Sequence, residues 1–165
     1  MATVQTQVVP AVDAELSLRT PQQRLTNAVS CLVASTDARR RKTLSRGAGR
    51  AGWKCVDCAS AEAFAEAMRQ RFQLALMDIV GPQSQSFREI GKQLARETNT
   101  LIVVCGDESQ PTDEIWARGL GAWLYLPGLG TIDDLAQLCH EARMVVDKTY
   151  AEAIRMFVQN DRSSV

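Results

Sequence analysis

The side chain best placed for chemistry is Asp78, which lies within the apolar run LALMDIV at residues 74–80. An apolar run of this length, followed by Gly81 and Pro82, is typical of a buried strand in a parallel sheet. Open α/β sheets bind ligands at the carboxyl ends of such strands. The sequence therefore predicts that the Asp78 carboxylate lies at the ligand-binding edge of a sheet.

The thiols offer a second kind of chemistry. An odd number of cysteines without a secretion signal predicts reduced thiols. Cys55 and Cys58 form a single CxxC, but side chains three positions apart on a strand point to opposite faces. No second pair and no histidine lies nearby. We therefore interpret these cysteines as packing residues and predict neither a metal ion nor a cofactor. The five cysteines are Cys31, Cys55, Cys58, Cys105 and Cys139.

Composition excludes several classes of protein. The 165 residues carry 19 basic and 19 acidic side chains, so no overall field attracts nucleic acid or an anionic membrane. The longest apolar runs are too short to span a bilayer. The first residues lack the basic start of a secretory signal, which predicts a cytoplasmic protein. The basic cluster at residues 39–50 has no interleaved aromatic residues, and we interpret it as a solvated or protein-docking face.

Five strand-like runs, at residues 30–34, 54–58, 74–80, 101–105 and 122–126, alternate with helical patterns. Strict alternation predicts a flavodoxin-like doubly wound (βα)5 fold, with a five-stranded parallel sheet in the order 2-1-3-4-5. We predict a flexible tail at 1–27, a folded domain at 28–145 and a helical extension at 146–165. The predicted helix caps are Ser60, Ser86, Thr112 and Thr131.

The last helical pattern is longer than one domain needs. Its apolar residues recur at steps of three and four, which is nearly a heptad repeat. About half of this length is enough to cover the sheet, so the surplus predicts a surface that packs on a second copy. The extension residues predicted to form this homodimer contact are Val146, Tyr150, Ile154 and Phe157.

Phrases of the sequence, taken in order, resemble the receiver domain of two-component response regulators. They are CLVASTDARRRKTL, AGWKCVDCAS, LALMDIVGP, TLIVVCG and GLGAWLYLP, and the resemblance spans residues 30–143. It implies a flavodoxin-like fold and a role in bacterial signalling. It also implies that Asp78 matches the phosphoacceptor and that Arg41 matches a basic position in the first helix.

Most of the chemistry implied by this resemblance is absent. Receivers hold magnesium with two acidic residues after the first strand, and Ser35 and Thr36 occupy those positions here. Asp37 matches a third acidic position, but we do not expect it to replace the pair. The hydroxyl that ends the fourth strand is replaced by Cys105. The lysine expected before a proline is replaced by Leu126, so Asp78 is all that remains of the core site.

Three aromatic residues lie around the predicted fourth helix and fifth strand. We expect the Tyr125 ring to fill part of the space that the missing lysine leaves. In receivers this face docks partners, so Trp116 and Trp123 are candidate contact residues. Packing in the core is an equally good interpretation of both.

Three functional hypotheses follow. The leading one is a pseudo-receiver, not an enzyme, that binds a signalling protein without any cofactor. The alternative is an atypical receiver that is phosphorylated on Asp78 with weakly bound magnesium. The least favoured is the pseudo-receiver of an RNA-binding regulator, because such families append a longer helical domain. We predict no membrane and no nucleic-acid partner.

Overall fold

The computed structural model describes residues 29–96 and 99–162, with side chains as far as residue 159. The predicted tail at 1–27 lies outside the described residues. Strands and helices alternate along the described chain. They are β1 (Ser30–Ala34), α1 (Ala38–Arg50), β2 (Lys54–Cys58), α2 (Ala61–Ala67), β3 (Leu74–Asp78), α3 (Ser84–Leu94), β4 (Leu101–Gly106), α4 (Pro111–Leu120), β5 (Leu124–Pro127) and α5 (Ile132–Arg162).

The strands form one parallel sheet in the order β2-β1-β3-β4-β5, which confirms the predicted fold. Three strands differ from the prediction at their ends, and β4 and β5 each extend one residue further than predicted, to Gly106 and Pro127. β3 ends at Asp78 rather than at residue 80. β5 starts at Leu124 rather than at residue 122, because the left-handed Gly121 ends α4 and the Ala122 amide bonds back to Ala117.

Two of the predicted helix caps are confirmed. The Ser60 side chain accepts a hydrogen bond from the Ala63 amide, at 3.2 Å, at the start of α2. The Thr131 hydroxyl accepts a bond from the Asp134 amide, also at 3.2 Å, and donates to the Asp134 carboxylate in return. Both helices therefore begin where the sequence indicated.

The other two predicted caps are wrong. α3 begins at Ser84, before Ser86, and its N-cap Gln83 makes no side-chain capping bond. α4 begins at Pro111, before Thr112. Proline suits the first helical position because its missing N–H has no intrahelical acceptor there, so the proline fixed this boundary.

Helices cover both faces of the sheet and enclose two core layers. The first core layer lies between the sheet and α1 and α5, and the second lies between the sheet and α2, α3 and α4. The first layer includes Cys31, Val33, Leu44, Leu76, Val103, Cys105, Leu135, Cys139, Ala142 and Val146. The second includes Leu32, Cys58, Phe64, Met77, Phe87, Val104 and Ala117.

The long last helix is a single element of 31 residues, α5. At 1.5 Å per residue it is about 46 Å long. The prediction that Val146 is an uncovered contact residue is wrong, because its side chain is buried in the first core layer at 5% exposure. All residues from 147 to 159 are exposed. Tyr150, Ile154 and Phe157 are 38%, 39% and 77% exposed.

Among the residues that the structure describes, no helix combines the length and apolar character needed to cross a membrane.

Candidate functional site

Asp78 is the last residue of β3, and its side chain is completely buried. In the sheet it pairs with Cys105 of β4, and Cys105 pairs with Leu126 of β5. These three residues form a row near the carboxyl edge of the sheet. The site that the sequence singled out is therefore assembled by strand register.

The side chain that the sequence analysis missed is Arg40. Its Nε lies 2.7 Å from Asp78 Oδ2, and its Nη2 lies 2.8 Å from Oδ1. Such bidentate arginine–carboxylate pairs are among the strongest hydrogen bonds in proteins. The bond to Asp78 raises the pKa of Arg40 above its ordinary value, so the guanidinium stays charged. The buried acid therefore has a cation in direct contact.

Two further donors complete the shell around Asp78. The Ser35 hydroxyl donates to Oδ2 at 2.7 Å, and the Val80 amide donates to Oδ1 at 3.3 Å. Each carboxylate oxygen thus accepts two hydrogen bonds. A carboxylate offers about four lone-pair sites in all. The Asp78 carboxylate is saturated by its own chain.

The other acid of the expected pocket, Asp37, caps the start of α1. Its Oδ1 accepts hydrogen bonds from the amides of Arg39 at 2.8 Å and Arg40 at 2.9 Å, so it is the N-cap of α1. These bonds, with that from Arg40 the larger, lower the pKa of Asp37. This cap starts α1 directly after β1, which places Arg40 in the first turn of α1, within reach of Asp78.

Thr36, the second neutral position, lies beneath the loop that follows β3. A Cβ at Gly81 would come within 3.0 Å of Thr36 Oγ1, and Gly81 has a φ of 109°. Both the close approach and the left-handed backbone require glycine there. The loop therefore packs directly on the position where receivers carry an acid.

The magnesium ion implied by the resemblance does not fit these residues. No group of three or more histidine, cysteine, aspartate or glutamate side chains suited to a metal occurs within residues 29–96 and 99–162. The Arg40 guanidinium occupies the two carboxylate oxygens that a metal would use. The positive charge of Arg40 would also repel a dication at Asp78.

Cys105 and Leu126 supply no strong hydrogen-bond donor and no charge to the row. Cys105 is completely buried, and burial, with the nearby charge of Asp78, raises the pKa of its thiol to about 12. The thiol is therefore protonated at neutral pH and is a weak hydrogen-bond donor. Leu126 is half-buried against the first core layer. The position of the expected lysine is apolar.

Tyr125 lies on the opposite face of β5 and packs against the second core layer. Its hydroxyl reaches the Asp107 carbonyl at 3.5 Å. A Cβ at Gly106 would lie 2.4 Å from the Tyr125 hydroxyl oxygen. The ring therefore covers the end of β4, and glycine at position 106 makes room for it.

The two candidate contact tryptophans have different surroundings. Trp116 is half-buried, and the Arg88 guanidinium lies over its ring at 4.7 Å while pairing with Asp113. Trp123 is 36% exposed. Trp116 is largely engaged within the domain, so Trp123 is the more accessible of the two.

The sequence offered one clue to Arg40. Three consecutive arginines, Arg39 to Arg41, follow the cap residue Asp37 within one turn of a helix that starts beside the acid. The resemblance directed attention to Arg41, whose Nη1 instead donates to the Ser35 carbonyl at 2.7 Å. Only the position of each side chain around the helix separates the two arginines.

No protein-family model matches the sequence, and no curated protein matches it significantly. Solved structures of receiver domains match it over most of their own length. This chain has the receiver-domain fold. A CheY-like receiver domain from Methanospirillum hungatei is 17% identical, with a TM-score of 0.62 over 76% of this chain and 99% of that one.

Two further receiver-type structures agree. CheY4 of Vibrio cholerae is 20% identical, with a TM-score of 0.58 over 70% of this chain and 99% of that one. A response regulator from Burkholderia multivorans is 24% identical, with a TM-score of 0.55 over 67% and 90%. At these identities the likeness establishes the fold alone, and function depends on the site.

Proposed function

We propose that this chain is a cytoplasmic, non-catalytic pseudo-receiver that binds a protein partner in bacterial signalling or regulation. The observation that carries the proposal is the bidentate Arg40–Asp78 pair. It ties the acid that matches the phosphoacceptor to a cation of the same chain. The fold then presents surfaces to partners without a turnover reaction.

Chemistry at Asp78 faces two obstacles. A carboxylate must present a free oxygen to attack phosphorus, and here each oxygen already accepts two hydrogen bonds. Phosphoryl transfer also depends on cations that neutralise the transferring group. Arg40 is already paired with Asp78 and cannot serve a phosphoryl group. The two acidic residues that hold magnesium in receivers, and the lysine, are missing here. Each 1.36 kcal/mol lost from transition-state stabilisation slows the reaction about tenfold.

Intact-mass measurement after incubation with magnesium and acetyl phosphate tests this proposal. We expect no phosphate adduct under conditions that label a phosphorylatable receiver completely. A stoichiometric adduct that disappears in Asp78→Asn and persists in Asp57→Asn would overturn the proposal and establish the atypical receiver. Asp57 is the matched control because it is an exposed acid on β2, away from Asp78.

A second copy of the chain is the partner that we propose for the α5 extension, defined as residues 147–159. The buried stripe of α5, which includes Leu135, Cys139, Ala142 and Val146, continues past the domain as exposed apolar side chains. The extension carries two acids and two bases within 147–155, so its charges do not repel another copy. An exposed apolar helix face of this kind is typical of an interface. The exposed apolar residues that continue this stripe are Tyr150, Ile154 and Phe157, and Met156 and Val158 are exposed as well.

Light scattering on Phe157→Glu and Met144→Glu tests the homodimer. Both residues are exposed on α5, but they are 13 positions apart and lie on roughly opposite sides of it. We expect Phe157→Glu to give monomers and Met144→Glu to keep the wild-type mass. A monomeric wild type at all concentrations, or equal masses for both variants, would contradict this interface.

A further inference from the structure

Two cysteines that are distant in sequence are neighbours in the sheet. Cys31 on β1 is the register partner of Cys55 on β2. Both side chains face the first core layer, where Cys31 is buried and Cys55 packs at the margin. Cys58, the other member of the CxxC, pairs with Ala34 and faces the second core layer. The spatial partner of Cys55 is therefore Cys31.

The spacing of these neighbours suits a disulfide. Adjacent strands lie about 4.8 Å apart, and disulfides join Cα atoms separated by about 4.4–6.8 Å. The Cβ atoms of parallel neighbours are about as far apart as the strands, which slightly exceeds the preferred 3.5–4.5 Å. A bridge here needs little backbone movement, and its mild strain makes it easy to reduce.

The two thiols differ in access and acidity. Cys55 is half-buried on an edge strand, whereas Cys31 is completely buried. Interaction with the Cys31 thiol lowers the pKa of Cys55, and burial raises the pKa of Cys31. The thiolate is the nucleophilic form of cysteine, so Cys55 is the thiol that meets an oxidant first.

We propose that Cys31 and Cys55 are an oxidation site, at which hydrogen peroxide converts the two thiols into a reversible disulfide between β1 and β2. The Cys55 thiolate attacks a peroxide oxygen, which forms a sulfenic acid and releases hydroxide. The Cys31 sulfur then attacks the sulfenic sulfur, and its proton leaves with the departing hydroxide as water. Overall, two thiols and hydrogen peroxide give a disulfide and two waters.

Cys31 and Cys55 are not arranged as ligands of a metal ion. Cys139 lies in the same core layer, but no group of three thiols, carboxylates or imidazoles within the described residues is arranged to hold a metal ion. The bridge would tie the edge strand β2 to its inner neighbour β1. It does not depend on whether Asp78 accepts phosphate or on whether α5 forms a dimer.

Oxidation of the full-length native chain with hydrogen peroxide tests the proposal. After excess peroxide is removed, the protein is unfolded, alkylated, digested and mapped by mass spectrometry. We expect a linked peptide pair containing Cys31 and Cys55, the loss of two hydrogens from the intact mass, and recovery of both thiols with a reductant. Amides of β2 should exchange more slowly in the oxidised form.

Cys55→Ser should lose the linked peptide, and Cys58→Ser should keep it. Cys58 is the matched control because its thiol lies within 3.5 Å of the Ala63 carbonyl, an acceptor that a serine hydroxyl can use. Mapping of the wild type identifies the pair even if a variant folds poorly. Oxidation that stops at Cys55 sulfinic acid, links two chains, joins another cysteine pair or does not occur would overturn the proposal.

Discussion

At the scale of single residues, the pair between Asp78 and Arg40 is asymmetric. Asp78 is completely buried, whereas the Arg40 side chain is 26% exposed. Removal of one partner from a buried pair is costly because it leaves an uncompensated charge away from water. The cost depends on which charge remains, and only Arg40 can turn toward solvent.

Arg40→Met should therefore destabilise the fold more than Asp78→Asn does. We expect a loss of about 3 kcal/mol for Arg40→Met, because the buried carboxylate keeps only neutral donors. Asp78→Asn leaves an arginine that water can reach, so we expect a smaller loss. Urea unfolding monitored by circular dichroism measures both values.

Arg39→Met is the control for this comparison, because Arg39 is exposed and adjacent in sequence. A surface substitution of this kind usually changes stability by less than about 0.5 kcal/mol. Equal losses for Arg40→Met and Arg39→Met would contradict the role of the Arg40–Asp78 pair.

Because the Cys105 thiol is buried, we expect the free energy of unfolding to fall at alkaline pH. Its pKa is raised from 9.0 to about 12 in the folded chain. Above pH 9 the unfolded chain binds fewer protons than the folded one, so the free energy of unfolding falls as pH rises toward 12. The contribution of one such thiol approaches about 1.4 kcal/mol per pH unit.

Cys105→Ala should remove this part of the alkaline slope. Urea unfolding at several pH values above 9 gives the slope of the free energy of unfolding against pH for each protein. The substitution also changes packing, but that effect is the same at every pH and does not alter the slope. We expect a shallower decline for Cys105→Ala. Parallel declines in the two proteins would show that this thiol is not protected from ionisation in the folded state.

At the scale of elements, α1 and α5 pack closely against each other. A Cβ built on Gly47 would lie 2.6 Å from the Leu135 Cβ, and Leu135 is fully buried. Gly49, two residues later in the same helix, has no atom within 4 Å of its Cβ position. Glycine usually weakens a helix, but at position 47 it allows the two helices to approach.

Gly47→Ala and Gly49→Ala should change stability in opposite directions. Overpacking typically costs about 1–3 kcal/mol, so we expect Gly47→Ala to destabilise the fold by about 2 kcal/mol. Gly49→Ala relieves the entropic cost of a helical glycine and should stabilise by about 0.5 kcal/mol. Thermal or urea unfolding measures both, and the same sign for the two would contradict this contact.

At the scale of the whole molecule, we propose that the domain folds without the α5 extension. Side chains from 147 to 159 are exposed, so a chain that ends at residue 146 should keep the core of the domain. If the extension joins two copies, the stability of the full-length chain rises with protein concentration by mass action. The shortened chain should show no such dependence.

Unfolding midpoints measured across a wide range of protein concentration test this separation. We expect the full-length midpoint to rise with concentration and to converge at high dilution with that of the shortened chain. A shortened chain that does not fold would show that the extension stabilises the domain itself. A full-length midpoint independent of concentration would contradict the dimer.

The sequence by itself determined the class of fold and the strand order. It also indicated that most residues used for phosphorylation in receivers are missing. Alternating apolar runs predict which segments are strands and helices, and the resemblance to receivers implies that Ser35, Thr36, Cys105 and Leu126 replace residues with other chemistry. These are local properties. They require no knowledge of which side chains meet.

The tertiary structure alone decided which residues are partners. Arg40 rather than Arg41 reaches Asp78, Cys31 rather than Cys58 lies beside Cys55, and Val146 is core rather than surface. Each depends on the rotation of a helix or the register of a strand, where one residue changes the face that a side chain occupies. Packing of the whole chain sets that rotation and register, so spacing in the sequence did not determine them.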